Sequence, residues 1–193
     1  METNLEKLAD DWVKAMSEKV DGKSEYYCQT RDIFQTRLDK MLREFLRNGK
    51  IDKENIYLAS AIAGEIGNNS FDHNLGSWPN IPGIFFGYQI KNDGNNIEIV
   101  LADRGQGVFE TLKKVKPEIV NDQEALKTAF TERISGRSPE KRGNGLKFVK
   151  ENVEDKKMHL VFFSGDAKIE LNSEMQLMLA GKEIHGCLAV LNL

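Results

Sequence analysis

Cysteine, proline and histidine are scarce in this chain of 193 residues, which holds two, four and three of them respectively. Cys28 and Cys187 lie far apart and lack metal-ligand spacing, so neither a disulfide framework nor a zinc cluster is built from them. Reduced thiols of a cytoplasmic protein are the expectation. No stretch approaches the roughly 18–20 apolar residues of a membrane span. The polar start Met1-Glu2-Thr3-Asn4 does not have the pattern of a secretory leader. Charge of one sign is missing as well: a formal net charge of −3 offers no broad basic field to nucleic acid. Internal repeats and low-complexity tracts are absent. What is present, 40% hydrophobic and 30% charged residues, is ordinary for a globular chain and enough for a sizeable core.

Apolar residues recur at helical spacing through Leu5, Leu8, Trp12, Met16 and Val20, which predicts a helix over residues 3–20. A second helix is expected over 31–48, closed by Asn48-Gly49. These two form an N-terminal helical appendage, residues 1–50, that either caps the core or offers a face to a second copy or a partner. Asp52 then reads as the N-cap of a helix running to about His73. A loop rich in glycine and proline follows at residues 76–82. Residues 84–91 and 97–102 flank Asn92-Asp93-Gly94-Asn95 and read as a β-hairpin. Short helices are expected at 122–132 and from Gly145 to about Val153, and strands at 159–163, 168–171 and 184–191. Helices first, then strands mixed with helices, predict an α+β fold with a mixed, mainly antiparallel sheet covered by helices on one face.

Three separated segments carry the chemistry. In Glu65-Ile66-Gly67-Asn68-Asn69-Ser70-Phe71-Asp72-His73, the residues Glu65, Asn69, Asp72 and His73 fall at i, i+4, i+7 and i+8 and share a helix face. A solvated face would explain such a stripe. A Mg²⁺–nucleotide site explains it better, because Mg²⁺ takes few protein ligands, mostly oxygen. Asn69 would lend its amide oxygen to the metal, and Glu65 would act as a general base. In Asp103-Arg104-Gly105-Gln106-Gly107, Asp103 ends a strand and is placed to accept from the exocyclic amine of adenine. Gly105 and Gly107 let the backbone turn tightly beside the base, although Asp-x-Gly-x-Gly is also a common turn. Gly143-Asn144-Gly145-Leu146 opens a helix whose free N–H groups suit phosphate oxygens. Arg133, Arg137, Lys141 and Arg142 lie just before it. They form a solvated charged run, one or two members of which would reach a γ-phosphate.

Together the three segments resemble the GHKL superfamily of ATPases and kinases: gyrase B, heat-shock-ninety chaperones, histidine kinases, mismatch-repair ATPases and the bacterial anti-sigma serine kinases. Glu65-x-x-x-Asn69-x-x-Asp72-His73 resembles its N box, Asp103-x-Gly105-x-Gly107 its first glycine box, and Gly143-Asn144-Gly145-Leu146-Lys147-Phe148-Val149-Lys150 its second. The terminal Gly186-Cys187-Leu188-Ala189-Val190 is similar to the closing Gly-Thr strand. The resemblance covers residues 52–193. It implies the Bergerat ATP-binding fold, a two-layer α/β sandwich, with residues 108–142 as the ATP lid. Two positions depart from the family pattern. Lys147 stands where a glycine is usual, and Cys187 where a threonine helps read adenine.

The resemblance narrows the function to two readings. Only His73, His159 and His185 are present, and none lies in residues 1–50, so a complete histidine kinase is not the expectation. The chain is too short for the further domains of gyrase- or chaperone-type ATPases. Glu65, four residues before Asn69, is a feature of the ATPases and anti-sigma kinases of the family. A cytoplasmic serine/threonine protein kinase or slow ATPase of the anti-sigma type, using ATP and Mg²⁺ on a protein partner, is the first expectation. The second is an ATP-switched binding module with little or no turnover.

Overall fold

The computed structural model describes residues 3–91, 94–133 and 145–193. The elements run α1 (Leu5–Lys14), β1 (Tyr27–Cys28), α2 (Arg31–Asn48), α3 (Lys53–Asn74), β2 (Ile84–Lys91), β3 (Asn96–Asp103), α4 (Gly107–Lys113), α5 (Asp122–Thr131), α6 (Gly145–Asp155), β4 (His159–Leu171) and β5 (Met175–Asn192), with a 3-10 turn at Ser17–Lys19. The five strands lie in the order β1-β2-β3-β5-β4. Every pairing among the described strands is antiparallel, so the expected parallel component is not found. The class is α+β.

Side chains opening the helices carry the local signals. Asn4, Thr30, Asp52 and Asn121 each accept from a main-chain N–H three residues on, which satisfies donors that a helix leaves unpaired at its start. Gly49, at φ 71°, closes α2 in the left-handed conformation.

Strand alternation sorts the core into two faces. Ile84 and Phe86, Ile97, Ile99 and Leu101, and Ala189 and Leu191 face a layer made by α2, α3, α5 and α6. Phe85, Val100, Ala102, Leu188 and Val190 face the other way, onto Leu5, Ala9 and Val13 of α1. The helices over residues 1–50 are therefore built into the core from both sides, α2 within the helical layer and α1 against the back of the sheet. Cover on a single face, as expected from the sequence, does not hold for α1. The apolar stripe of α1 also differs from the expected one. Leu8 and Met16 are 38% and 52% exposed, while Ala9 and Val13 are buried. Small Ala9 lets the helix lie close to the sheet, and the helix stops at Lys14 because Ala15 is extended.

The end of the chain departs from three separate strands. β4 and β5 pair along nearly their whole length, with register shifts around Gly165. Gly165 has φ 61°, and β4 doubles back there. His159 and Glu170, near its two ends, come within 3.0 Å, whereas eleven residues of straight strand would span about 36 Å. Among the described residues no helix is long and apolar enough to cross a membrane.

The α2–α3 contact is tight enough to test. A Cβ built on Gly67 would lie 2.3 Å from the Phe34 ring, and that ring is fully buried. Gly67→Ala is expected to lower stability by about 1–3 kcal/mol through overpacking, read as a shifted midpoint in chemical denaturation.

Candidate functional site

Helix α3 carries most of the candidate groups, and the structure sends them in different directions. Glu65 is exposed and Asn69 half-buried, and both lie against the start of α6. A Cβ on Gly145 would stand 2.8 Å from Glu65 Oε2 and 2.9 Å from Asn69 Nδ2. A larger residue here would displace the ends of the two side chains. Leu146 follows, partly buried against the main core. Lys147, at the unusual position, runs along the helix surface to Glu151 at 3.9 Å.

Asp72 does not join Glu65 and Asn69. It pairs with Arg31 at the start of α2, so the expected four-residue face is split. His73 has an exposed side chain, and its carbonyl accepts from Gln106 Nε2 at 2.6 Å.

Asp103 ends β3 and is 1% exposed. Ser70 Oγ donates to its Oδ2 at 2.8 Å and the Gly105 N–H donates to its Oδ1 at 2.8 Å. Its sheet partner is Cys187, directly across on β5. Burial pushes the Asp103 carboxyl pKa up, and these donors partly offset the rise. Burial, followed by the negative charge of Asp103, raises the Cys187 thiol well above its usual value, so Cys187 stays a neutral thiol.

The loop after Asp103 is held on every side. A Cβ on Gly105 would fall 2.1 Å from Asn74 Nδ2. Asn74 is 3% exposed; it donates to the Ser70 carbonyl at 2.9 Å and accepts from the Gln106 N–H at 2.9 Å. Gly107 has φ 77°. The Val108 N–H donates to Ser164 Oγ at 2.9 Å, and that hydroxyl donates to the Gly186 carbonyl at 3.1 Å. Gly186 has φ 94°, and a Cβ there would lie 2.2 Å from the Asp103 carbonyl. Asn74 and Ser164 are thus parts of the site that motif reading passed over, and Ser70 and Gly186, quoted within motifs, were given no role of their own. The signal for Asn74 was its place four residues after Ser70, on one helix face.

Residues 108–131, expected as part of a lid over 108–142, carry two anchored helices. Leu112 of α4 packs with Ile119 and Ala125, and Phe130 of α5 meets Phe162 edge-on with ring centres 5.3 Å apart. Arg137, Lys141, Arg142, Gly143 and Asn144 lie outside the described residues. A cleft of about 520 Å³ borders Gly105 and Gly107 and is lined by Val13, Asn80, Asp122 and Gly186 among others. Glu65, Asn69 and Gly145 do not line it. The described geometry therefore joins the three sequence segments around α3, and the cleft lies apart from that junction.

No protein-family model matches the chain, and no curated protein matches it at a significant level.

The buried carboxyl of Asp103 has a pH signature. An acid whose pKa is raised by folding costs no stability while it is protonated in both states, below the ordinary value of 3.8. The cost then grows as pH rises through the folded-state pKa. Denaturation across a pH series is expected to show this fall in wild type and to lose it in Asp103→Asn, the difference between the two proteins being the readout.

Proposed function

We propose that the chain binds ATP with Mg²⁺ in a site of the GHKL type on a Bergerat-type fold, and acts on a protein partner as a regulatory serine/threonine kinase or slow ATPase of the anti-sigma kind. What supports this reading is the approach of Gly145 to Glu65 and Asn69, on the same helix whose Ser70 holds Asp103. Three segments distant in sequence meet, in the order that the resemblance implies.

The residues fit the group. Gly145 brings the α6 backbone directly against Asn69 and Glu65, whose flexible ends lie where a Cβ would sit. Among the described residues no cluster of three His, Cys, Asp or Glu could hold a metal. Mg²⁺ does not require one, since phosphate and water oxygens supply most of its ligands. Asn69 would add an uncharged oxygen. Bound Mg²⁺·ATP would supply the phosphoryl group and the charge that offsets it in transfer. Asp103 would accept from the adenine amine, with the Cys187 thiol, a weak donor, beside it. Glu65, exposed to solvent, would take the proton from a partner hydroxyl or a water. Gly145 begins α6, so the N–H groups of its first turn would face phosphate oxygens.

Calorimetric titration of the protein with Mg²⁺·ATP tests this. Wild type is expected to bind, Asp103→Asn to bind at least tenfold more weakly, and Gly145→Ala to lose affinity with little change in melting temperature. The added methyl meets only the flexible ends of Glu65 and Asn69. Glu65→Gln is expected to keep ATP affinity and to lose about 10²–10⁴-fold in phosphoryl transfer or hydrolysis. No binding by wild type would sink the reading. Tight binding without turnover would favour the ATP-switched module.

A further inference from the structure

Arg104 sits inside the Asp-x-Gly-x-Gly segment, yet its side chain turns away from Asp103 and runs to α1. It is 6% exposed. Its Nη1 donates to the Trp12 carbonyl and its Nη2 to the Ala15 carbonyl, each at 2.5 Å. Its Nε donates to Asn80 Oδ1 at 3.2 Å, and the guanidinium carbon lies 5.7 Å from the centre of the Trp12 ring. These hydrogen-bond partners are all neutral, which is a costly setting for a buried cation. The Trp12 carbonyl belongs to the last turn of α1 and Ala15 is its C-cap. Helix ends leave such carbonyls unpaired, and a cation there also suits the helix dipole. Arg104 is the C-terminal cap of α1, supplied from the glycine loop.

The main chain of Arg104 has no freedom of its own. Asp103 before it is fixed by Ser70, and Gly105 after it is pressed on Asn74. Helix α1 has ten residues, too few to be stable alone in water. Its support is the seat of Leu5, Ala9 and Val13 on the back of the sheet. A short helix of this kind opens locally before the whole protein unfolds.

We infer that Arg104 is a positioning residue that makes the seating of α1 and the shape of the loop over residues 103–108 one coupled equilibrium, so that a ligand at the loop and the docking of residues 5–15 strengthen each other. The ligand half of this rests on the ATP reading; the helix–loop half stands without it. Coupling of this kind is reciprocal and commonly amounts to roughly 5–150-fold.

Hydrogen–deuterium exchange on the full chain tests both halves. In ligand-free protein the Gly105, Gln106 and Val108 amides are the reporters, each bonded to a side chain. Leu5→Ala loosens α1 from its far end and is expected to speed exchange at these loop amides by about fivefold or more. Ala9→Gly serves the same end with a smaller cavity, should Leu5→Ala fail to fold. Leu38→Ala, in the α2 core, is the control: it lowers the melting temperature without singling out the loop. In an Arg104→Lys background, where one ammonium cannot bridge two carbonyls, the effect of Leu5→Ala on the loop is expected to vanish. With Mg²⁺·ATP, wild type should exchange more slowly over residues 5–15, and Leu5→Ala should weaken ATP by the same factor. Loop exchange in Leu5→Ala that merely matches Leu38→Ala, or that persists with Arg104→Lys, overturns the coupling. Absence of ATP binding in wild type would remove the nucleotide reading alone, because the ligand-free comparison still decides.

Discussion

A carboxylate removed from water needs donors around it, and Asp103 obtains them from Ser70 on α3 and Gly105 on the loop that follows, with Cys187 beside it on the neighbouring strand. Neither α3 nor the loop can shift alone without leaving that group short of partners. β3 delivers Asp103 because its apolar residues are buried on both faces, between the helical layer and α1. α3 delivers Ser70 because Gly67 beds against the Phe34 ring and Gly64 against Leu38. The site is rigid where it meets the core.

The same helix also faces solvent through Glu65. One face of α3 belongs to packing, a second to the buried Asp103 joint, and a third to α6 across Gly145. That division accounts for the fate of the polar stripe. Residues three, four and seven apart share a side of a helix, but what each side chain meets depends on the neighbours packed along that side. With α2 also packed against α3, Asp72 is taken by Arg31. The chemistry proposed for Glu65 and Asn69 therefore depends on α6 as much as on α3.

Much of this was legible in the sequence. The bounds of α2, the Asp52 cap and the β2–β3 hairpin follow from local signals, since caps and turns act over a few residues. The proximity of Gly145 to Glu65 and Asn69 agrees with the motif spacing. Other features were hidden because distant contacts set them. α1 is shorter than its periodicity predicts, its end being met by Arg104, ninety residues away in sequence. The two-residue β1 lacks any periodic signal and exists through its pairing with Ile84 and Phe85. The doubling of β4 turns on one left-handed glycine. Asn74 and Ser164 are polar residues with no motif, placed by the loop they hold.

The shortness of β1 has a consequence at the sheet border. Tyr27 and Cys28 are the last rung on that side, and Gly83 is packed so closely on Cys28 that a Cβ would fall 2.4 Å from its carbonyl oxygen. Beyond this rung the border passes to β2 itself, whose residues from Gly87 to Lys91 pair with β3 and with no described strand on the other side. Long open edges invite foreign strands to add on, and Lys91, ion-paired with Glu98, sets charge at the far end of this one, a placement that discourages strand-by-strand association.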